Sequence, residues 1–176
     1  MEKFYNWIHA QIRNNKSIET LVIFLCKFLP YVSALFYIGI LFYVWIKQSY
    51  SLYFTIGFPF SVFIFVTMLR KIWNRPRPYE RLHIDPLFKN KTGESTPSRH
   101  TASAFAIALT GFVITPQLGF ILAIIAIIIA ISRVISGVHD ILDITLAILI
   151  VLVMYWLVLY FFNLSIGPFT NLHHVF

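Results

Sequence analysis

Charge is scarce in this chain: only 12% of its 176 residues are Asp, Glu, Lys or Arg, whereas 59% are hydrophobic and 18 are Phe. A soluble domain carries about 25% charged residues, so the composition excludes an ordinary soluble fold and points to a bilayer. Cysteine is scarcer still. Cys26 stands alone, which excludes an intramolecular disulfide and a thiolate metal cluster, and its apolar neighbours suit a small packed hydrophobe. Acidic residues number 7 against 14 basic ones, a balance that in a soluble protein suggests nucleic acid. Here the cations form no surface stripe, so a nucleic-acid partner is excluded. No cleavable signal is expected in the N-terminal residues, because Glu2, Arg13, Asn14, Asn15, Lys16 and Glu19 interrupt any continuous apolar run. Insertion is therefore expected to rest on the later spans.

What the chain does contain is arranged by polarity. Residues 1–29 mix Phe4, Tyr5, Trp7, Ile8 and Ile12 with Lys3, Arg13, Lys16 and Lys27, the pattern of an amphipathic helix at the membrane interface. Pro30 precedes an uncharged run from Tyr31 to Ile46, and a second runs from Tyr50 to Leu69. Each approaches the roughly 20 residues that a spanning helix needs. Residues 70–100 are polar and carry Pro76, Pro78, Pro86 and Pro97, so they read as an extramembrane loop. No charge interrupts Thr101 to Ser132, and the cluster from Thr115 to Gly119 divides that run into two spans joined by a tight turn. A last span is expected from about Ile144 to Phe162, followed by a short polar tail. The fold class is all-α: a polytopic membrane helical bundle of five or six spans with an interfacial N-terminal helix, forming a single domain over residues 1–176.

This topology places every polar cluster after Lys47 on one face of the membrane. Unsatisfied polar groups cost several kcal/mol in hydrocarbon, so ionisable residues gathered at span ends mark a site. Three segments meet there. The first runs from Arg70 and Lys71 to Arg77 and Pro78, the second from Pro97 through Ser98 and Arg99 to His100, and the third holds Ser132, Arg133, His139 and Asp143. Arginine suits phosphate because its planar fork donates two parallel hydrogen bonds and keeps its charge. The Ser98 hydroxyl and the backbone N–H groups of a helix starting after Pro97 add donors at a positive dipole end. Phosphoryl transfer asks mainly for positioning and charge neutralisation. A neutral His139 can attack phosphorus, and Asp143, four residues on and on the same helix face, can accept its other ring N–H. His100, with an ordinary pKa of about 6.5, suits protonation of the leaving oxygen.

These segments resemble the signature of the type 2 phosphatidic acid phosphatase family: Lys, six residues, Arg-Pro; Pro-Ser-Gly-His; and Ser-Arg, five residues, His, three residues, Asp. The third motif matches fully. The second has Arg99 for glycine, and the first has Arg70 at the lysine position with Lys71 beside it. The resemblance spans residues 70–143. It implies a lipid phosphatase that needs no metal or other cofactor and works through a phosphohistidine intermediate. His139 is its nucleophile, Asp143 the partner, His100 the acid, and Arg70 or Lys71, Arg77, Ser98, Arg99 and Arg133 surround the phosphate. The implied substrates are phosphate monoesters or pyrophosphates on membrane lipids, such as phosphatidic acid, phosphatidylglycerophosphate or undecaprenyl pyrophosphate.

Plainer roles fit other residues. His9, His83, His173 and His174 lack a carboxylate at useful spacing. Arg75, Lys89 and Lys91 suit a headgroup-binding patch, Tyr79 and Glu80 suit either a pocket lining or a loop contact, and Asp140 reads as a solvated neighbour of the nucleophile. A non-catalytic membrane protein that binds anionic headgroups is an alternative, although simple binding needs no paired acid, nucleophile and orienting carboxylate. A vanadate-dependent haloperoxidase relative is another, which the spans oppose. Counting positive charges puts the basic face in the cytoplasm; the family resemblance puts the site of this multi-pass cell-membrane protein on the extracytoplasmic side, the orientation adopted here. The sequence is silent on oligomeric state.

Overall fold

The N-terminal amphipathic segment ends earlier than its composition suggests. In the computed structural model, which describes residues 2–47, 51–82, 84–88 and 92–166, helix α1 covers Glu2–Arg13 and buries Tyr5, His9 and Ile12. Three- and four-residue spacing puts these side chains on one face, while Phe4 and Trp7 are exposed. His83, Lys89, Lys91, His173, His174 and the polar tail lie outside the described residues.

Asn15 then starts a new helix. Its side chain accepts the N–H groups of Ser17 and Ile18, satisfying orphan donors of α2, Lys16–Ile46. This corrects the expected boundary at residue 29: one continuous helix runs through Pro30. A proline inside a helix leaves the carbonyl four residues earlier without its donor. For Pro30 that carbonyl belongs to Cys26, and Arg133 Nη2 donates to it at 2.7 Å. The same solution recurs in α3, Ser51–Trp73. There Pro59 frees the carbonyl of Thr55, and the Tyr37 hydroxyl donates to it at 2.8 Å. In hydrocarbon such replacement donors are what makes an internal proline tolerable.

Helix α3 carries Arg70 and Lys71 in its last turn, so the polar loop begins at Asn74 and not at residue 70. It contains the single turn α4, Pro78–Arg81. Helix α5, Arg99–Ile114, and α6, Pro116–Ile135, meet at Thr115. The Thr115 hydroxyl accepts the Leu118 N–H at 3.2 Å, and Pro116 takes the first helical position, where its missing N–H costs nothing. The final helix α7 is Ile141–Ile166.

Helices α2, α3, α6 and α7 are long and apolar enough to cross a membrane. The shorter α5 touches all four, and its buried Ala102, Ala104, Ala106 and Ala108 let the backbones approach closely. On one side, Phe54, Phe58, Val62 and Val66 of α3 pack against Ala102 and Ala106 and against Ala147 and Val151 of α7. At the turn with α6 the approach is tightest: a Cβ on Gly119 would stand 2.3 Å from a Phe112 ring carbon. The chain is thus an all-α polytopic membrane bundle. Its opposite end gathers the C-termini of α3 and α6 with the N-termini of α5 and α7.

Candidate active site

The turn between α6 and α7 delivers the central imidazole. Gly137 has φ +75°, a left-handed conformation that costs a residue with Cβ but not glycine. A Cβ there would also stand 2.9 Å from the His9 ring of α1. Two hydrogen bonds hold His139 itself by its main chain: its N–H donates to the Arg133 carbonyl at 3.1 Å, and its carbonyl accepts the Tyr5 hydroxyl at 3.2 Å. Burial, followed by the negative charges of Asp140 and Asp143, pushes the Tyr5 phenol up to about 12, so it remains a donor. His9 adds a ring-nitrogen contact to the Ile135 carbonyl at 2.9 Å. Helix α1 therefore braces the loop that carries His139.

Within the loop, His139 Nδ1 lies 3.1 Å from Asp143 Oδ2. With Nδ1–H donated to that carboxylate, the lone pair resides on Nε2. Burial, aided by the positive charges of Arg77 and Arg70 and opposed by Asp143, pulls the imidazole down to about 4. The ring is thus neutral at pH 7. Asp143 is fully buried and receives the hydroxyls of Ser95 and Thr96, the Asp140 N–H at 3.1 Å and Arg75 Nη1 at 3.1 Å. So many donors to one carboxylate favour its ionised form.

Three buried guanidinium groups surround this pair. Arg70 Nη1 donates to the Pro97 carbonyl at 3.3 Å, Arg77 donates to the carbonyls of Gly93 and Val138, and Arg133 is held by Cys26. Their anchors are neutral carbonyls. Among the described residues no ion pair uses any of the three, and the Nε atoms of Arg70 and Arg133 are buried with no acceptor. Buried donors ordinarily find partners; a tetrahedral oxyanion offers what these lack. Ser98 is buried beside them. Its N–H donates to the Asp143 carbonyl at 3.0 Å, and its hydroxyl, the group expected to donate to the anion, accepts from Thr101 at 3.1 Å and among the described residues gives its own hydrogen to no acceptor.

His100 is half-buried in the first turn of α5, where burial, followed by the positive charges of Arg133, His139, Arg99 and Arg70, pulls its imidazole down to about 3 and not to the ordinary value expected from the sequence. The structure thus collects His139, His100, Asp143, Arg70, Arg77, Ser98 and Arg133 into one cage. Lys71 is exposed, unlike its neighbour Arg70. Arg99 lies over the Phe63 ring, 5.6 Å from its centroid. Glu80 braces the loop, accepting the N–H of Arg77 at 2.7 Å and of Gly93 at 2.8 Å.

Two residues that the sequence pattern assigns to the periphery belong to this network. Asp140 is buried, not solvated. It accepts Arg75 Nη2 at 2.9 Å and Arg81 Nη2 at 2.6 Å, and its side chain takes the Asp143 N–H at 3.0 Å. With the Asp140 N–H donated to Asp143, these bonds form the reciprocal pair of a capping box at the start of α7. The three-residue spacing of the two aspartates is the local signal for that box. Arg75 contacts Thr96, Asp140 and Asp143 together and so is no free headgroup cation.

A helical membrane bundle enclosing an arginine cage around a histidine–aspartate pair defines the class of protein. Residues 50–166 match the PAP2 superfamily, more than half of the chain, and the protein belongs to that family. Among solved structures, LpxE of Aquifex aeolicus superposes with a TM-score of 0.68 at 24% identity, covering 90% of this chain and 93% of that one. The first transmembrane PAP2 type phosphatidylglycerolphosphate phosphatase from Bacillus subtilis gives 0.56 at 19% identity, over 94% and 95%. At these identities the likeness is one of fold. No curated protein matches the chain.

Proposed function

We propose that the protein is a lipid phosphatase that cleaves a phosphate monoester or pyrophosphate on a membrane lipid through phosphohistidine. The observation that carries this reading is the pair of buried, acceptor-free Nε–H groups on Arg70 and Arg133, beside an imidazole whose tautomer Asp143 fixes. In the first step Nε2 of His139 attacks phosphorus and the bond from phosphorus to the lipid oxygen breaks, while His100, which takes up a proton as the anionic phosphate binds, gives that proton to the leaving oxygen. The two charges on Arg70 and Arg133, with Arg77 and the Ser98 hydroxyl, neutralise the equatorial oxygens. In the second step His100 takes a proton from water, the water oxygen bonds to phosphorus, and the N–P bond breaks to release phosphate. The guanidinium groups supply the charge that a metal supplies elsewhere, so the reaction runs without one.

Substrate class rests on setting and not on a pocket shape. The cage lies at the end of apolar helices, within reach of a headgroup whose acyl or prenyl chains stay in the bilayer. The test is phosphate release by the purified protein in detergent, with EDTA present, from phosphatidic acid, phosphatidylglycerophosphate and polyprenyl pyrophosphate. Release from at least one, inhibited competitively by vanadate as a pentacoordinate mimic, is expected. No release from any of them, or a strict requirement for added metal, contradicts the reading.

A further inference from the structure

We infer that Arg75 and Asp140 form a charge clamp that positions Asp143 and thereby sets the protonation state of His139. This rests on the reading of His139 as the group whose neutral form reacts. Arg75 reaches Asp143 Oδ1 at 3.1 Å and the Thr96 hydroxyl at 3.1 Å, and its other nitrogen meets Asp140 Oδ2 at 2.9 Å. The guanidinium therefore spans both carboxylates. Asp140 is held in turn from α4 by Arg81 at 2.6 Å, and each of Asp140 and Asp143 donates its backbone N–H to the other's carboxylate.

The geometry has an electrostatic consequence. Asp143 Oδ2 faces the imidazole, while Oδ1 faces Arg75. A guanidinium shared with Asp140 is less available to neutralise Asp143 than one devoted to it, so Asp140 tunes how much negative charge His139 sees. Other groups facing the ring are Arg77 from the loop before α4, Arg70 from α3 and His100 from α5, and Tyr5 of α1 bonds the His139 carbonyl. Behind Asp143 stand Arg75, Asp140 and Arg81. Arg75 is thus a positioning residue, with no direct role at phosphorus, and Asp140 is its counterweight.

Charge arithmetic separates this role from mere scaffolding. Removing the Arg75 cation makes protonation of His139 easier and moves its titration upward; removing the Asp140 anion moves it downward. Each shift is about 1 pH unit, the low end for a neighbouring charge. The measurement is NMR of histidine-labelled protein in detergent between about pH 3 and 8, with the His139 signal assigned by its loss in His139→Gln. Wild type is expected to titrate near 4, Arg75→Gln above it, Asp140→Asn below it and Arg75→Lys close to wild type. The acid limb of phosphate release is expected to move with the NMR titration. Unmoved titrations, or two shifts of the same sign, overturn the clamp. Should Arg75→Gln fail to fold, Asp140→Asn and Arg75→Lys decide by the same criterion. A wild-type protein that releases no phosphate while the titrations move oppositely sinks the proposed function and leaves the clamp. An active wild type with unmoved titrations does the reverse.

Discussion

Arg70 and Lys71 are chain neighbours with opposite surroundings. Successive residues on a helix are turned by about 100°, and α3 persists to Trp73, so one cation enters the cage and the other does not. Arg70 is buried against the Pro97 carbonyl, whereas Lys71 is exposed. We expect Arg70→Gln to lower kcat by about 10²- to 10³-fold, the usual loss for one preorganised donor to a developing anion. Lys71→Gln should stay within about twofold, as surface substitutions do. Steady-state kinetics on a lipid phosphate checks both, and a larger loss at Lys71 would reverse the assignment. Residue types are legible in the sequence because anion chemistry restricts them: arginine forks, an imidazole and a carboxylate four residues apart. Which of two adjacent cations turns inward is not, since that depends on where α3 ends. Asp140 escapes for a related reason. A carboxylate beside the proposed nucleophile looks solvated until its partner is known, and Arg75 lies 65 residues away in sequence.

At the level of elements, prolines and glycines acquire meaning only through long-range partners. Pro30 reads as a helix boundary because a lone chain offers nothing to the carbonyl it frees. Arg133, separated from Cys26 by 107 positions, supplies the donor and ties α6 to α2 while the rest of its guanidinium faces the cage. The split of the long apolar run at Thr115 is visible in the sequence, since a polar N-cap followed by proline is a local signal. The closeness of α5 and α6 behind it is not. Gly119 lies against the Phe112 ring with no space for a methyl group. We expect Gly119→Ala to destabilise the bundle by about 1–3 kcal/mol, the cost of overpacking, read as a lower thermal midpoint in detergent with the cage residues unchanged. An unaltered midpoint would mean that the helices are free to separate. Helix α1 has a comparable standing: its buried face meets the His139 loop through Tyr5 and His9, which amphipathic patterning alone does not disclose.

Across the whole molecule, a scarcity of charge makes the fold readable and concentrates the chemistry. Spans emerge as uncharged runs, and the ionisable residues after Lys47 lie between them at one end. Orientation is a competition between two physical tendencies: basic loops favour the cytoplasm, yet the cations here belong largely to the cage. With the site on the extracytoplasmic side, a Thr92→Cys protein should react with an impermeant thiol reagent in intact cells, while native Cys26 is buried and stays silent. Labelling only after lysis would place the site in the cytoplasm. The central claim, however, is attack by His139 on phosphorus, and one measurement addresses it most directly. Turnover of a lipid labelled in its terminal phosphate, quenched in base, should leave the label on the peptide containing His139 and none on His139→Gln, which should also release no phosphate. A His139→Gln protein that releases phosphate at the wild-type rate would contradict the account.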